Sequence, residues 1–342
     1  MSVFTNVYLI PGFLGAGKTT FLNRIIDRFP NDRKLTLLVN EFGEVGVDGT
    51  LVEGEDIDMM EISKGSIFCV CVKTDFIKGL YELSTTVKPD VLLIESTGVA
   101  NPSDLKKDLK LPIFNNRFHF MEQFCIIDAP HFLGASEVYA SLEKQIASSS
   151  VCIINRIDTA SPDTIAATKD VVRKFHPDPL FFETNYADIP IENFFGFTPD
   201  SGEVTPGSSG NEMMAEMSAE ELDIFIDDLL DSPDLEITPP DLLMSVAYKW
   251  TGDNAEQVKA MAGALPASVL RAKGFVEENG NMLLFSFVQG DWTIEDPHIP
   301  AERVKHKNVI VFIGPPESME GIETATQTGS WINMGEYQPY SN

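Results

Sequence analysis

Short apolar runs recur through the first half of the chain, at Val7–Ile10, Leu35–Val39, Val91–Ile94, Phe124–Ile127, Val151–Ile154 and Leu180–Phe182. Several are apolar at every position, as expected of strands covered on both faces. Between them lie stretches with helical spacing of apolar residues: Thr19–Arg28, Asp75–Thr86, Ser136–Ala147 and Pro162–Phe175. Ser161 followed by Pro162 reads as an N-cap with proline at the first helical position. The alternation predicts an α/β domain on a mostly parallel sheet, over residues 1–190.

The pattern then changes twice. Residues 191–241 read as an acidic linker or insertion, with no Lys or Arg between Lys174 and Lys249 and a Gly, Ser and Pro-rich run at Pro199–Asn211. A capping box, Ser218-Ala219-Glu220-Glu221, opens a short helix that carries Leu222, Phe225, Ile226 and Leu229 on one face. That stripe predicts a helix packed onto the protein. A docking helix or a loose cation collector is the other reading. Residues 242–316 show strand patterns at Ser245–Trp250, Val269–Val276, Leu283–Val288 and Val309–Ile313, with helical stretches at Ala255–Ala262 and Pro300–Lys305: a small α+β domain. Residues 317–342 pattern weakly and read as a tail.

Between the first strand and the first helix stands Gly12-Phe13-Leu14-Gly15-Ala16-Gly17-Lys18-Thr19, a G-x-x-x-x-G-K-[ST] phosphate loop in its required setting. Glycines let backbone N–H groups curl around phosphate oxygens. The loop residues Gly12, Gly15, Ala16 and Gly17, with Thr20 behind them, are candidate contacts; Lys18 reaches the outer phosphates and Thr19 offers a hydroxyl to Mg²⁺. The helix N-terminus adds its positive end. Strand Val91–Ile94 ends in Glu95-Ser96-Thr97-Gly98, where the acid can hold Mg²⁺ through water and the Gly98 N–H can sense a γ-phosphate. Strand Val151–Ile154 runs into Asn155-Arg156-Ile157-Asp158, close to the N-K-x-D guanine signature. Asp158 can accept from guanine N1 and N2, which favours GTP over ATP, and the Arg156 plane and stem can lie on the base. Val39–Gly49, with Glu41, Glu44 and Asp48 among its glycines, sits where a loop that changes with the γ-phosphate is expected, and its acids are candidate Mg²⁺ contacts.

Composition narrows the partners. A formal net charge of -27 argues against nucleic acid or an anionic membrane. Four cysteines are too few for a disulfide framework in 342 residues. No signal-peptide pattern opens the chain and no apolar run approaches a membrane span, so a cytoplasmic protein is expected.

The ordered set P-G-F-L-G-A-G-K-T-T, N-E-F-G-E-V-G-V-D-G, E-S-T-G-V-A-N-P, I-D-A and N-R-I-D resembles the CobW-type GTPases, relatives of the hydrogenase and urease nickel-insertion GTPases. Val269–Phe275, Phe285-Ser286-Phe287 and Gly290-Asp291-Trp292 look like that family's C-terminal domain. The resemblance covers most of residues 4–183 and 243–314. It implies slow GTP hydrolysis coupled to delivery of a metal or metal cofactor to a client metalloprotein or corrinoid protein. It also implies that Lys18 and Thr19 serve phosphate and Mg²⁺, Glu95 the γ-phosphate region, and Asn155 and Asp158 guanine. A homodimer is compatible with it.

The family's C-x-C-C metal motif is altered. Gly65-Ser66-Ile67-Phe68-Cys69-Val70-Cys71 puts Ser66 and Phe68 where two cysteines belong, keeps Cys69 and adds Cys71. Two thiolates supply half of a tetrahedral Zn²⁺ or Co²⁺ site, and Glu41 and His131 are candidates for the rest; otherwise the pair is a packed remnant. Cys125 and Cys152 lie inside strand patterns and read as core. A GTP-gated module without metal, and a small-molecule kinase on the same scaffold, are the competing functions. The Asn155–Asp158 segment and the C-terminal domain speak against the kinase.

Overall fold

A computed structural model describes residues 4–41, 58–63, 70–96, 102–196, 217–230, 243–304, 306–327 and 330–334. In the first domain β1 (Thr5–Ile10), α1 (Lys18–Arg28), β2 (Leu35–Glu41), β3 (Asp58–Ser63) and α2 (Val70–Glu82) are followed by β4 (Val91–Glu95) and α3 (Pro102–Asp108). Then come β5 (Phe118–Asp128), α4 (Phe132–Val138), α5 (Ala140–Ala147), β6 (Val151–Asn155), α6 (Pro162–Phe175), β7 (Leu180–Glu183) and α7 (Glu192–Phe195). The seven strands form one sheet in the order β3-β2-β4-β1-β5-β6-β7, every pair parallel. The apolar runs are explained by burial on both faces: Tyr8 and Ile10 of β1 join one core, Val7 and Leu9 the other. Strand β3 has no apolar run to announce it. Among the described strands it sits at the sheet edge, beside β2.

Two boundaries differ from the sequence expectation. The first domain does not stop at residue 190, because α7 is part of its core. Phe195 is buried and stacks on Tyr8 at 4.2 Å, and the Tyr8 hydroxyl donates to the Phe194 carbonyl at 3.0 Å. Nor is the segment after 316 a tail. After β8 (Met244–Trp250), α9 (Glu256–Ala264), β9 (Arg271–Glu278), β10 (Asn281–Val288), β11 (Asp291–Glu295) and β12 (Val309–Gly314) come α10 (Met319–Ala325) and β13 (Trp331–Asn333). These strands pair antiparallel in the order β11-β10-β9-β12-β8-β13. Helices α9 and α10 cover one face through Val258, Met261, Met319 and Ile322. Trp331 on β13 closes the same core, so the second domain reaches at least residue 331.

The short helix of the acidic insertion, here α8 (Ala219–Leu230), packs as its stripe predicts, with Leu222 and Ile226 buried in the core that holds Phe76, Ile77 and Leu80 of α2. Its capping box is formed: Ser218 N donates to Glu221 Oε2 at 2.8 Å, and Glu221 N to Ser218 Oγ at 3.3 Å. Residues 197–216 of the expected linker fall outside the described residues.

Helix α3 carries a lysine of unusual character. Lys106 Nζ donates to the Ser148 carbonyl at 2.6 Å and stands 4.4 Å from the centre of the Phe120 ring. Burial pushes its ammonium down to about 8, against the pull of Glu122 and with help from Lys110. Above pH 8 the folded chain releases this proton, while the unfolded chain holds it until near 10.5. Unfolded protein therefore binds more protons across that window, and Lys106 makes stability rise with pH there. Below it both states are charged and the burial penalty is constant. Lys106→Met keeps the stem over Phe120 without the charge, so the parent-minus-variant stability difference climbs through the window. Urea unfolding of both proteins from about pH 7.5 to 10 checks this; a difference independent of pH would overturn it.

Candidate functional site

The phosphate loop leaves the C-terminal end of β1 at the centre of the sheet, and α1 begins at Lys18. Its turn depends on glycines. Gly15 has φ 79° and Gly17 φ 105°, the left-handed region that side chains avoid. Space forbids a side chain as well: a Cβ on Gly17 would stand 2.5 Å from Asn155 Nδ2, and one on Gly15 would stand 2.5 Å from Val288 Cγ2. Lys18 is buried, 6% exposed, and its Nζ donates to the Gly12 carbonyl at 3.0 Å and the Phe13 carbonyl at 3.2 Å. The loop is thus closed on its own lysine, which fixes a positive charge beside the helix start. That helix start has no side-chain cap and no acidic residue in its first turn, an electrostatic setting that suits an anionic ligand.

Glu95 ends β4 directly beside Ile10 in the strand register and is buried, 6% exposed. A buried carboxylate next to the loop, with Thr19 at the start of α1, is a fitting oxygen donor pair for Mg²⁺ at triphosphate oxygens. Gly98, Glu44 and Asp48 lie outside the described residues, as do Ser66, Phe68 and Cys69. The side chains of Glu41 and Cys71 are also outside them; only their backbone places in β2 and α2 are described.

The Asn155–Asp158 segment is stapled to the loop. Asn155 Nδ2 donates to the Ala16 carbonyl at 2.9 Å, and its Oδ1 accepts from Ala187 N at 2.8 Å. Asn185 Oδ1 accepts from Asp158 N at 3.0 Å. The turn after β7, residues 185–187, is therefore held at both ends against the N-R-I-D segment, with the Asp158 side chain exposed. Sequence reasoning missed this turn, because one tie runs through the Ala187 backbone and the other through a lone Asn185 that no motif marks.

Arg156 and His131 both meet Asp128. Arg156 Nη1 lies 3.1 Å from Asp128 Oδ1 and 3.3 Å from Oδ2, an in-plane pairing that is compatible with a base lying on the guanidinium face and stem. His131 Nδ1 lies 2.7 Å from Asp128 Oδ2 and Nε2 3.3 Å from Asp291 Oδ2, while the cysteine segment with which it was expected to share a metal lies outside the described residues. Asp128, at the end of β5, organises both side chains, and its signal was the I-D-A motif. Among the described residues no group of three or more His, Cys, Asp or Glu side chains is arranged to hold a metal ion. Cys125 and Cys152 are core as expected. Burial raises both thiols, Cys152 to about 12, which keeps them protonated and poor as ligands.

With this geometry in hand, comparison with known proteins decides the family. The profile of the CobW/HypB/UreG nucleotide-binding domain matches residues 6–183, and that of the cobalamin synthesis protein cobW C-terminal domain matches residues 249–327. The chain belongs to the CobW/HypB/UreG family. The second match runs past residue 316, in keeping with α10 as part of the C-terminal domain. The zinc chaperone YeiR of Escherichia coli is 36% identical over 163 residues, covering 47% of this chain and 49% of YeiR. The zinc chaperone CobW of Pseudomonas aeruginosa is 25% identical, covering 57% of this chain and 60% of that protein. The chain thus spans about half to three-fifths of the length of these curated relatives. Among solved structures, Zn(II)-bound YjiA GTPase from E. coli aligns at 21% identity and a TM-score of 0.43, covering 95% of this chain and 98% of YjiA. Among the described residues of this CobW/HypB/UreG chain, no helix is long and apolar enough to cross a membrane.

Proposed function

We propose that this protein binds Mg²⁺·GTP, hydrolyses it slowly, and couples the nucleotide state to delivery of a transition metal ion to a client metalloprotein. The observation that carries the reading is Asn155, which ties the phosphate loop, the N-R-I-D segment and the 185–187 turn into one hydrogen-bonded unit. Phosphate and base ends of a nucleotide site are thereby set at a fixed spacing. In this reading Lys18, the loop amides Gly12, Gly15, Ala16 and Gly17, and the α1 N-terminus hold the phosphates. Thr20 follows in the first turn. Thr19 and Glu95 hold Mg²⁺, with Asp48 and Gly98 as further contacts on the γ-phosphate side. Asp158 selects guanine.

Bound Mg²⁺ would neutralise charge on the transferring phosphoryl group. Lys18 acts by preorganised electrostatics, since its position is already set by two carbonyls. No glutamine stands out to orient the attacking water, so intrinsic turnover is slow until a partner or metal raises it.

The metal is cargo. Zn²⁺ leads, because the relatives of known name are zinc chaperones and, in Saccharomyces cerevisiae, a zinc-regulated GTPase metalloprotein activator; Co²⁺ is second. Cys69 and Cys71 are the proposed thiolate donors, with Glu41 the oxygen donor beside them. The client is a metalloprotein, with a corrinoid protein as the alternative. The altered motif, with Ser66 and Phe68 at cysteine positions, favours one second reading: a GTP-gated binding module that loads its client without carrying metal.

A zinc and cobalt competition titration against a chromophoric chelator separates them. It is run on reduced protein in Mg²⁺·GTP and in Mg²⁺·GDP, with the parent and a Cys69→Ser, Cys71→Ser variant. The expected result is one tight site that needs both cysteines and changes affinity by about fivefold or more between nucleotides. No tight site in either state would overturn metal carriage and leave the metal-free module.

A further inference from the structure

The loop residues Phe13 and Leu14 are large and apolar, an odd choice for a loop that must meet phosphate and water. Both are buried, and the core they join is made largely by the second domain: Leu243, Leu270, Leu284 and Val311 pack with them. One face of the antiparallel sheet covers its own helices, while the other lies on the phosphate loop. At the end of β10, just before its turn into β11, Val288 stands against Gly15 so tightly that a Cβ on Gly15 would stand 2.5 Å from Val288 Cγ2 and 2.8 Å from Val288 Cγ1. Three residues on, Asp291 reaches His131, which shares Asp128 with Arg156 of the base-side segment. A single hairpin thus touches the phosphate end directly and the base end through two side chains.

We infer that Val288 is a positioning residue for the nucleotide reaction, a wall supplied by the C-terminal domain that holds the phosphate loop in its binding shape; this rests on the loop's role as a nucleotide site. Gly15 has a left-handed backbone that an isolated loop would leave readily. The isopropyl group of Val288 fills the space into which Gly15 would relax. Phe13 transmits the same support, since its carbonyl takes a hydrogen bond from Lys18 while its ring lies 4.9 Å from Tyr139 in the interface core. The Asp291 carboxylate is 69% exposed, so solvent screens its attraction for His131, and the apolar seat is the stronger of the two links. A client or metal that displaces the hairpin would loosen the phosphate loop. By reciprocity, nucleotide binding would bias the hairpin.

The test is equilibrium binding of Mg²⁺·GTP to the full chain, with both affinity and stoichiometry measured, for the parent, Val288→Ala and the nearly isosteric Val288→Thr. The expected result is about tenfold weaker binding for Val288→Ala with one site per chain retained, and recovery to within about twofold in Val288→Thr. Damage to the fold would lower the number of sites rather than the affinity. Where Val288→Ala does lose sites, the parent's tryptophan emission decides. Trp250, Trp292 and Trp331 are the chain's three tryptophans and all belong to the C-terminal domain. An emission change on nucleotide addition that Trp292→Phe removes supports the wall, and no change overturns it. Val288→Ala binding within about twofold of the parent, or Val288→Thr binding as weakly as Val288→Ala, overturns it too. A parent that binds GTP without turnover sinks only the hydrolysis reading. A parent that binds no nucleotide sinks the site and this inference together.

Discussion

Lys18→Ala is expected to weaken Mg²⁺·GTP binding by about a hundredfold and to lower single-turnover hydrolysis at saturating GTP by a further ~10²–10³, the cost of losing one preorganised charged donor. The geometry explains both losses. Lys18 Nζ holds the Gly12 and Phe13 carbonyls at 3.0 and 3.2 Å, so its removal opens the loop as well as deleting the charge that faces the phosphates. Arginine is no substitute. Its planar fork fixes five donors in a shape matched to carboxylate or phosphate, not to two converging carbonyls in a buried turn. Lys18→Arg is therefore expected to behave like Lys18→Ala. Fluorescent-nucleotide binding and rapid-quench turnover measure the two losses separately. Retention of affinity within about threefold in Lys18→Ala would show that the loop amides and helix start hold the phosphates unaided.

Asn155→Ala is expected to weaken GTP and ITP alike by about a hundredfold and to destabilise the first domain by about 2–6 kcal/mol. Two buried backbone groups, the Ala16 carbonyl and the Ala187 N–H, lose their partner at once, each at about 1–3 kcal/mol. Phosphate and base contacts degrade together because Asn155 joins the elements that make them. Asp158→Ala behaves differently. Its side chain is exposed and holds none of this framework, so GTP is weakened while ITP, which lacks the 2-amino group, is weakened less. Asn155→Asp refines the assignment, since it keeps an acceptor for Ala187 N and loses the donor to Ala16. Calorimetric melting and competition binding with the two nucleotides read all three variants. Selective loss of GTP over ITP in Asn155→Ala would make Asn155 a base contact and not a staple.

Much of the first domain was legible because its signals are local. Strands buried on both faces must be apolar throughout, and β1, β4 and β6 stand out as runs for that reason. Helix α6 begins at Pro162 and ends at Phe175, the span read from its cap and periodicity, with the Ser161 hydroxyl accepting from Thr164 N. The elements that were missed lack such signals. Strand β3 is an edge strand of mixed sequence. Helix α7 is four residues long, too short for a periodicity. Strand β13 is three residues and exists through its pairing with β8.

The same division runs through the candidate site. By itself the sequence determined that a phosphate loop follows the first strand, that an acid ends β4, and that an N-x-x-D segment ends β6. Each is chemistry carried by a few contiguous residues whose backbone demands, glycines at positive φ above all, restrict the amino acids allowed. Only the tertiary structure decided that Arg156 and His131 share Asp128, that Asn155 ties Ala16 to Ala187, and that Val288 of the second domain walls the phosphate loop at Gly15. These contacts join segments distant in the chain, and packing between distant segments leaves no spacing or period to read. A trace survives in Phe13 and Leu14, whose apolar side chains in a polar loop mark a surface that another part of the same chain must cover.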